Sequence, residues 1–490
     1  MKKTVFIKTQ VVFHKRTLEV YIFMDNNRKA LKSGIWYTIS DFFTKSIGLI
    51  TIPIFTRLLS QPEFGIYNTF ISWQTVLLII GSLQLGSTFI SARYDYENDF
   101  DGYIFSVSIL GVISSFLCGL VLNIIYTPLS SFFGISRLYL NAIVIYMIFF
   151  PVINLVQLRE RYYFKYKASI LISIVLALST SLLSVLLVLI SENRLHGRIL
   201  GSIIPVVIIG IILYIFIIIK GKKLTISYWK YALPICLPFI PHLLSLTLLN
   251  SVDKIMITNI QGEKFTALYS AAYSCGAIVT MLLTSMNTAY APWLGEMLHK
   301  KKYDEIKIFS KKYFFLFVLL AFLIMLIAPE ILYIIGGTSY MESVNVIPPV
   351  ACGCVFQFVY TMFVNVEQFN KKTVGMALAS LTAAGLNFVL NLLLIPYFGY
   401  VAAAYTTLIG YICLAVFHML LVNKQGFSIV YDYKFIIKIL ILVIFVTVIV
   451  NFLYYNYVIR FIVLLVYLII VFTVLFRNRK VIISFIRKEK

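Results

Sequence analysis

From residue 36 to residue 476 the chain alternates long apolar runs with short breaks of charged, glycine and proline residues. A helix needs roughly 17–25 mostly apolar residues to cross a bilayer. That criterion predicts about fourteen spans, near 36–56, 67–91, 103–126, 138–157, 168–191, 197–219, 228–250, 264–289, 313–335, 346–369, 374–395, 400–422, 435–455 and 459–476. The pattern is that of an all-α polytopic membrane protein.

The first run lies within Trp36–Asn68, WYTISDFFTKSIGLITIPIFTRLLSQPEFGIYN, and carries charge in its interior. At about 1.5 Å per residue, Trp36 to Thr56 covers roughly 30 Å, which places Lys45 near the bilayer midplane. Asp41 and Lys45 are spaced i, i+4 with the acid first, so on a helix they share a face and can neutralise one another. Each alone costs about 2.5–3.5 kcal/mol at the bilayer centre, so the pair is expected to face protein or a water-filled cavity. Two readings stay open: a salt bridge that locks helices together, or a face that lines a transport pathway.

The seventh run, YWKYALPICLPFIPHLLSLTLLNSVDK, is irregular for a different reason. Pro234, Pro238 and Pro241 each remove a backbone donor, so the helix must bend or break where protein or water satisfies the freed groups. His242 follows at mid-depth as a packing histidine or a proton carrier. Asp253 and Lys254 are expected at the outer end of the span as an interfacial pair, and Glu367 stands as an unpaired acid inside the tenth span.

An internal echo divides the chain. FGIYN (64–68) resembles TALYS (266–270), and HGRILG (196–201) resembles FGYVAA (398–403); Tyr67 and Tyr269 lie 202 residues apart, as do Gly197 and Gly399. An equal offset at two distant points predicts two six-span halves, and because it links spans one and seven the halves are parallel repeats. The expected divisions are a polar leader (1–32), a first six-helix lobe (33–222), a second (223–424), two peripheral C-terminal helices (425–476) and a basic tail (477–490).

Charge now orients these spans. The net charge is +22, yet only 13% of residues are charged and 60% are apolar; a soluble domain carries about 25% charged residues. The basic residues are scattered between apolar runs, which is topology charge and not a nucleic-acid footprint. One set of alternate loops carries Lys15, Arg16, Arg28, Lys29 and Lys32, then RERYYFKYK (159–167), KGKK (220–223), HKKKYDEIKIFSKK (299–312), Lys371, Lys372, Lys424, Lys434 and RNRK (477–480). The other set is short and nearly neutral, with Arg57, Arg137, Arg194, Arg198, Lys254, Lys264 and Arg460. Both termini are therefore expected in the cytoplasm, with an even number of spans. RYDYENDFDGY (93–103) dissents, being acidic on the basic side; acids weigh little in the rule. Residues 1–23 contain no continuous apolar core and do not read as a secretory signal, and Met24 is a second plausible start.

The six cysteines all fall within or against apolar spans, and neither a disulfide framework nor a metal pattern is implied. There is no GxSxG, HExxH, Walker loop or Gly-rich dinucleotide turn. No cofactor is expected, and the loops are too short for a catalytic domain. Carriers, channels and scaffolds remain.

TRLLSQPEFGIYN, ALPICLPFIPHLLSLTLLNSVDKIMIT, FTALYSAAYS with APW following, and LNLLLIPYFGYVAAAYTTLIGY resemble the bacterial polysaccharide-biosynthesis flippases. These are the O-antigen, capsule and teichuronic-acid lipid-linked oligosaccharide translocases of the multidrug/oligosaccharidyl-lipid/polysaccharide superfamily, and the resemblance covers about residues 33–476. It implies two six-helix lobes in a V around a central cavity, plus two peripheral helices, working by alternating access in the bacterial inner membrane. It also implies export of undecaprenyl-diphosphate-linked repeat units to the outer leaflet, with membrane lipid, a polysaccharide polymerase and glycosyltransferases as partners. A diphosphate cannot cross hydrocarbon bare, so its carrier should offer buried cations. Lys45, Arg57, Arg93 and Lys254 are the candidates; Lys254 stands where relatives often have Arg, keeping the charge without bidentate geometry. Asp41, Asp253 and Glu367 are the candidates for ion coupling. A cation-coupled drug or metabolite antiporter of the same superfamily, and a non-transporting scaffold of a sugar-assembly complex, are the alternatives.

Overall fold

The computed structural model describes residues 36, 39–163, 165–370 and 374–477. The expected leader, Lys371, Lys372 and the tail beyond Arg477 lie outside the described residues, as does the side chain of His242. The chain runs through α1 (Ile39–Leu58), α2 (Gln61–Gly81), α3 (Phe89–Asp95), α4 (Phe100–Phe133), α5 (Arg137–Tyr162), α6 (Tyr166–Ile190), α7 (Arg194–Gly221), α8 (Ser227–Cys236) and α9 (Phe239–Gln261). It continues through α10 (Glu263–His299), α11 (Tyr303–Leu326), α12 (Ala328–Gly336), α13 (Ile347–Phe369), α14 (Val374–Phe398), α15 (Val401–Lys424), α16 (Tyr433–Leu453) and α17 (Tyr457–Arg477). Tighter 3-10 turns occupy Leu85–Thr88, Glu97–Asp99 and Thr338–Val346, and no strand occurs among the described residues.

The protein is thus an all-α polytopic membrane protein, as the apolar pattern requires. Among the described residues twelve helices are long and apolar enough to cross a membrane, and α8 with α9 makes a thirteenth span bent by 42°. The fourteenth expected run falls on α17, whose apolar part, Tyr457–Thr473, is shorter than the rest.

Of three helix breaks, two have a local cause in proline and the third is held by the core. Pro238 separates α8 from α9, and Pro241 sits in the first turn of α9, where a missing N–H costs nothing. Pro329 opens α12 and biases the residues before it away from helix, so the run expected over 313–335 stops at Leu326 and restarts. The run expected over 67–91 also breaks: α2 ends at Gly81, and Leu83 and Gln84 take left-handed backbone (φ 50° and 52°) before α3 begins. Left-handed geometry costs roughly 1–2 kcal/mol per residue. Burial of Leu85 and Phe89 in the adjoining core holds the break in place.

The chain divides into two compact units. One comprises the described residues of Met1–Thr51, Leu77–Ile124 and Leu138–Ile240; the other comprises those of Ile52–Val76, Ile125–Arg137 and Pro241–Lys490. In the first unit, Phe89, Phe100, Tyr103, Val152, Val156 and Ala232 form the core. Gly201 lets α6 and α7 meet closely, since a Cβ there would lie 2.3 Å from Ser184 Cα; small residues at such contacts are the usual means of packing helices in lipid. The acidic segment 93–103 belongs to this unit, and three of its four acids are spent internally. Asp95 accepts from Tyr231 Oη (2.6 Å), Asp99 from Tyr228 Oη (2.6 Å), and Asp101 from Arg159 Nε (2.6 Å) and Nη2 (2.8 Å). Arg159 also pairs with Glu160. These bonds tie the segment to α8 and α5, which accounts for acidic residues in an otherwise basic set of loops.

In the second unit α13 is buried along most of its length, against Phe314, Phe317, Ala379, Leu414 and Val443 among others. Asp432 caps α16 by accepting from Phe435 N (3.0 Å). Arg460 anchors α17: Nη1 donates to Glu330 Oε2 (2.6 Å) and to Leu326 O (2.8 Å), a carbonyl left over at the end of α11.

Candidate functional site

Asp253 and Glu367 are the two buried acids of the expected set. α9 continues about three turns beyond the predicted end of its span, so Asp253 lies inside the unit, 1% exposed, and is not an interfacial group. Asn391 Nδ2 donates to Oδ1 (2.6 Å), while Tyr269 Oη (2.7 Å) and Thr407 Oγ1 donate to Oδ2. The shell closes on itself: Asn391 Nδ2 reaches Asn387 Oδ1 (3.2 Å), Thr406 donates to Asn391 Oδ1, and Asn387 Nδ2 approaches Thr407 Oγ1 (3.3 Å). Four helices, α9, α10, α14 and α15, each contribute to it.

All these partners are neutral, and among the described residues no Lys, Arg or His nitrogen pairs with Asp253. An ionised carboxylate removed from water carries a penalty of several kcal/mol that hydrogen bonds only partly offset. The site can therefore gain from a proton or a small cation, and its carboxylate, amide and hydroxyl oxygens are hard donors suited to one. Lys254, the next residue, faces elsewhere: it is half-buried with Nζ 5.5 Å from the Tyr273 ring centroid. The expected Asp253–Lys254 pair is not formed, because consecutive residues on a helix project in different directions.

Glu367 is fully buried on α13 but is not the unpaired acid expected. Its Oε1 lies 2.8 Å from His418 Nδ1 on α15, while Oε2 has no hydrogen-bond partner. His418 is 2% exposed and stacks on Tyr360.

The remaining expected residues are placed as follows. Asp41 and Lys45 are exposed on α1, and no ion pair joins them. Arg57 donates to Pro53 O (2.7 Å) and to Ile334 O (2.9 Å), so part of its donor set serves the carbonyls at helix ends. Arg93 is half-buried at the end of α3, its guanidinium 5.6 Å from the ring centroid of Phe100 and 5.0 Å from that of Tyr163. Among the described residues, no group of three or more His, Cys, Asp or Glu is gathered as a metal site.

The structure adds a feature the apolar pattern concealed. The break between α2 and α3 borders a pocket of about 330 Å³ in the first unit, where Ser82, Gln84, Ser87, Ser108, Asn154 and Tyr214 supply polar atoms. Irregular backbone at membrane depth is tolerated where it lines a cavity, and such segments commonly form binding sites.

A family model described as polysaccharide biosynthesis protein matches residues 30–298, and the MatE model matches residues 238–393. An uncharacterized membrane protein of Methanocaldococcus jannaschii is 22% identical over 472 residues, covering 86% of this chain and 89% of that protein. Among solved structures, the lipid II flippase MurJ in an inward closed conformation aligns over 91% of this chain and 100% of its own, with TM-score 0.68 and 14% identity. A multidrug resistance MATE family transporter of the MOP superfamily, in an inward-facing conformation, aligns over 79% and 95%, with TM-score 0.60 and 13% identity. At these identities the structural likeness is one of fold.

Proposed function

The chain belongs to the polysaccharide biosynthesis protein family, and from that membership we propose that it is a flippase. Its cargo is undecaprenyl-diphosphate-linked oligosaccharide, carried by alternating access from the cytoplasmic to the outer leaflet for polysaccharide assembly. The chain is a multi-pass membrane protein of that family, and the MatE match together with the fold shared with MurJ supports a transporter of the MOP superfamily. The proposal places both termini in the cytoplasm of a bacterial inner membrane, with a polymerase and glycosyltransferases acting on the same lipid-linked units.

The observation that carries the reading is the enclosed Asp253 carboxylate with its neutral oxygen-rich shell. A carboxylate awaiting a cation or proton gives an alternating carrier a group whose state differs between conformations. Asp253 is therefore assigned to ion coupling, with Glu367 and Asp41 as further acids. Lys45, Arg93 and Lys254 supply cations for a diphosphate, and Arg57 supplies those donors not already given to Pro53 and Ile334.

Proteoliposomes containing the full chain and a fluorescent undecaprenyl-diphosphate oligosaccharide test the reading. Protein-dependent loss of the outer-leaflet pool to a membrane-impermeant quencher is expected, faster under an inward or outward cation gradient. Absence of movement in either direction, with normally folded protein, defeats it. The MatE match over 238–393, which contains both Asp253 and Glu367, favours a second reading as a cation-coupled drug or metabolite antiporter. Cation release on adding a cationic drug, without lipid movement, would select that one.

A further inference from the structure

A second pocket, of about 550 Å³ and carrying charged residues, opens in the first unit and is lined by Arg93, Tyr94, Glu97, Leu158, Arg161 and Tyr162. It joins the end of α3 to the end of α5, beside the basic run that begins at Arg159. The electrostatics around it are uneven. Arg159 is neutralised twice, by Asp101 and Glu160, and Asp95 and Asp99 are bonded to tyrosines. Arg93 is treated differently: it rests between the faces of Phe100 and Tyr163, and among the described residues it has no carboxylate partner. Aromatic faces fix a guanidinium in place without consuming its five donors.

Tyr94 and Tyr162 are the amphipathic rings that favour a membrane–water boundary, and Leu158 gives the pocket an apolar wall. Glu97 is the acid of the segment without a partner of its own among the described residues, and it enters the same pocket. Two arginines, two tyrosines and one carboxylate exceed what a simple phosphate requires. Arginine forks bind phosphate oxygens bidentately, whereas a carboxylate accepts hydroxyl donors of the kind a sugar provides.

We propose that this pocket binds the phosphate-bearing headgroup of a lipid at the membrane surface, with Arg93 and Arg161 on the phosphate and Glu97 accepting from hydroxyls beside it. The inference rests on the flippase reading for the side of the membrane and for the choice of diphosphate over other anions. It assigns a docking place on the first unit where a headgroup is held before translocation. The site is separate from the Asp253 shell, which belongs to the second unit.

The test uses the full chain in phosphatidylcholine nanodiscs, with binding of three probes measured: undecaprenyl diphosphate carrying one sugar, phosphatidylglycerol and inorganic pyrophosphate. Arg93→Gln and Arg161→Gln should each weaken the phosphate probe that binds by about tenfold or more, and Arg93→Lys should recover part of the loss. If the sugar diphosphate lipid is preferred, the occupant is the cargo. Saturable phosphatidylglycerol binding that depends on both arginines makes it a phospholipid headgroup, and competition by pyrophosphate makes it a free phosphate. Glu97→Gln should weaken the sugar-bearing probe relative to pyrophosphate; equal changes for both would remove the hydroxyl-accepting role. Unchanged affinity in both Arg93→Gln and Arg161→Gln overturns the proposal. Because binding is read without transport, a protein that binds through these arginines but never translocates would remove the flippase reading alone.

Discussion

Asn391 and Asp253, 138 residues apart in the chain, are joined by a 2.6 Å hydrogen bond from Nδ2 to Oδ1 where neither side chain is more than 1% exposed. A neutral amide is thus a direct partner of an enclosed carboxylate. Hydrogen bonds to a charged group contribute about 1.5–3 kcal/mol each, less than the cost of burying that charge.

On the coupling role proposed for Asp253, its carboxylate exchanges an ion or proton during the cycle. Asp253→Asn keeps an amide oxygen to accept from Tyr269 and Thr407 but sets its NH2 against Asn391 Nδ2, so it folds with Asn391 turning its own amide oxygen toward the new donor. Its transport should lose dependence on a cation gradient while substrate still equilibrates. Flux into proteoliposomes with and without a gradient measures this; undiminished gradient dependence would separate Asp253 from coupling.

The Glu367–His418 pair makes a different prediction. His418→Ala removes the partner of Oε1 and leaves a carboxylate with no hydrogen bond at all, since Oε2 already lacks one. Breaking a buried pair this way costs about 3–5 kcal/mol. Glu367→Gln in the same chain should recover much of that loss. Unfolding midpoints of the four combinations in detergent give the coupling, and additive losses would show that the two side chains do not act as a pair.

The helices and their proline breaks were legible in the sequence because apolar length and missing N–H groups act locally. The 42° bend between α8 and α9 falls at Pro238. The break at Leu83 and Gln84 was not legible, since no proline marks it; the interruption GSLQLGST within an apolar run was the available signal. Asp253 was recognised as a candidate but misplaced at an interface, because its partners come from residues 269 to 407 and their convergence is a tertiary fact. His418 carried no local pattern that would pair it with Glu367, 51 residues away. The acids of 93–103 looked anomalous while only loop charge was counted. Their tyrosine and arginine partners belong to α8 and α5.

That internal use of the acids can be tested at Arg159. Arg159→Met strands Asp101 and Glu160 beside each other without their shared cation. A loss of about 2–4 kcal/mol is expected, smaller than for a fully enclosed pair because Asp101 is 26% exposed. Asp101→Asn should cost less, since Glu160 still neutralises the guanidinium. Thermal unfolding of both variants decides it, and equal stability of Arg159→Met and wild type would show the acids to be solvated.

Asp432 gives a pH-dependent prediction outside the spans. Lys311 lies 2.5 Å from its carboxylate and the Phe435 N–H is also directed to it, so its carboxyl is held below the ordinary value. A group depressed in the folded state contributes stability above its unfolded value, about pH 3.9, and loses it as pH falls through the folded value. Lys311→Met should therefore flatten the midpoint against pH below about 4. Asp432→Ala also removes the helix cap, at about 1 kcal/mol. An unchanged acid limb in Lys311→Met would assign the depression to the cap alone.

Lys45 supplies the sharpest division between a structural and a transport role. If it is a headgroup ligand, Lys45→Ala should abolish translocation and Lys45→Arg should retain part of it, because a delocalised cation still pairs with diphosphate. If it served only to balance Asp41, removing both charges as Asp41→Asn with Lys45→Met should restore function, since no uncompensated charge then remains. Both side chains are exposed on α1 and no salt bridge between the two occurs among the described residues; the headgroup role proposed for Lys45 predicts the first outcome. The double variant is therefore expected to reach normal abundance and fail to translocate. Asp41→Asn alone then separates the two groups. Residual substrate equilibration with loss of gradient dependence would place coupling at Asp41 and headgroup binding at Lys45. Normal flipping in the double variant would remove Lys45 from the transport path and leave it a surface charge of α1.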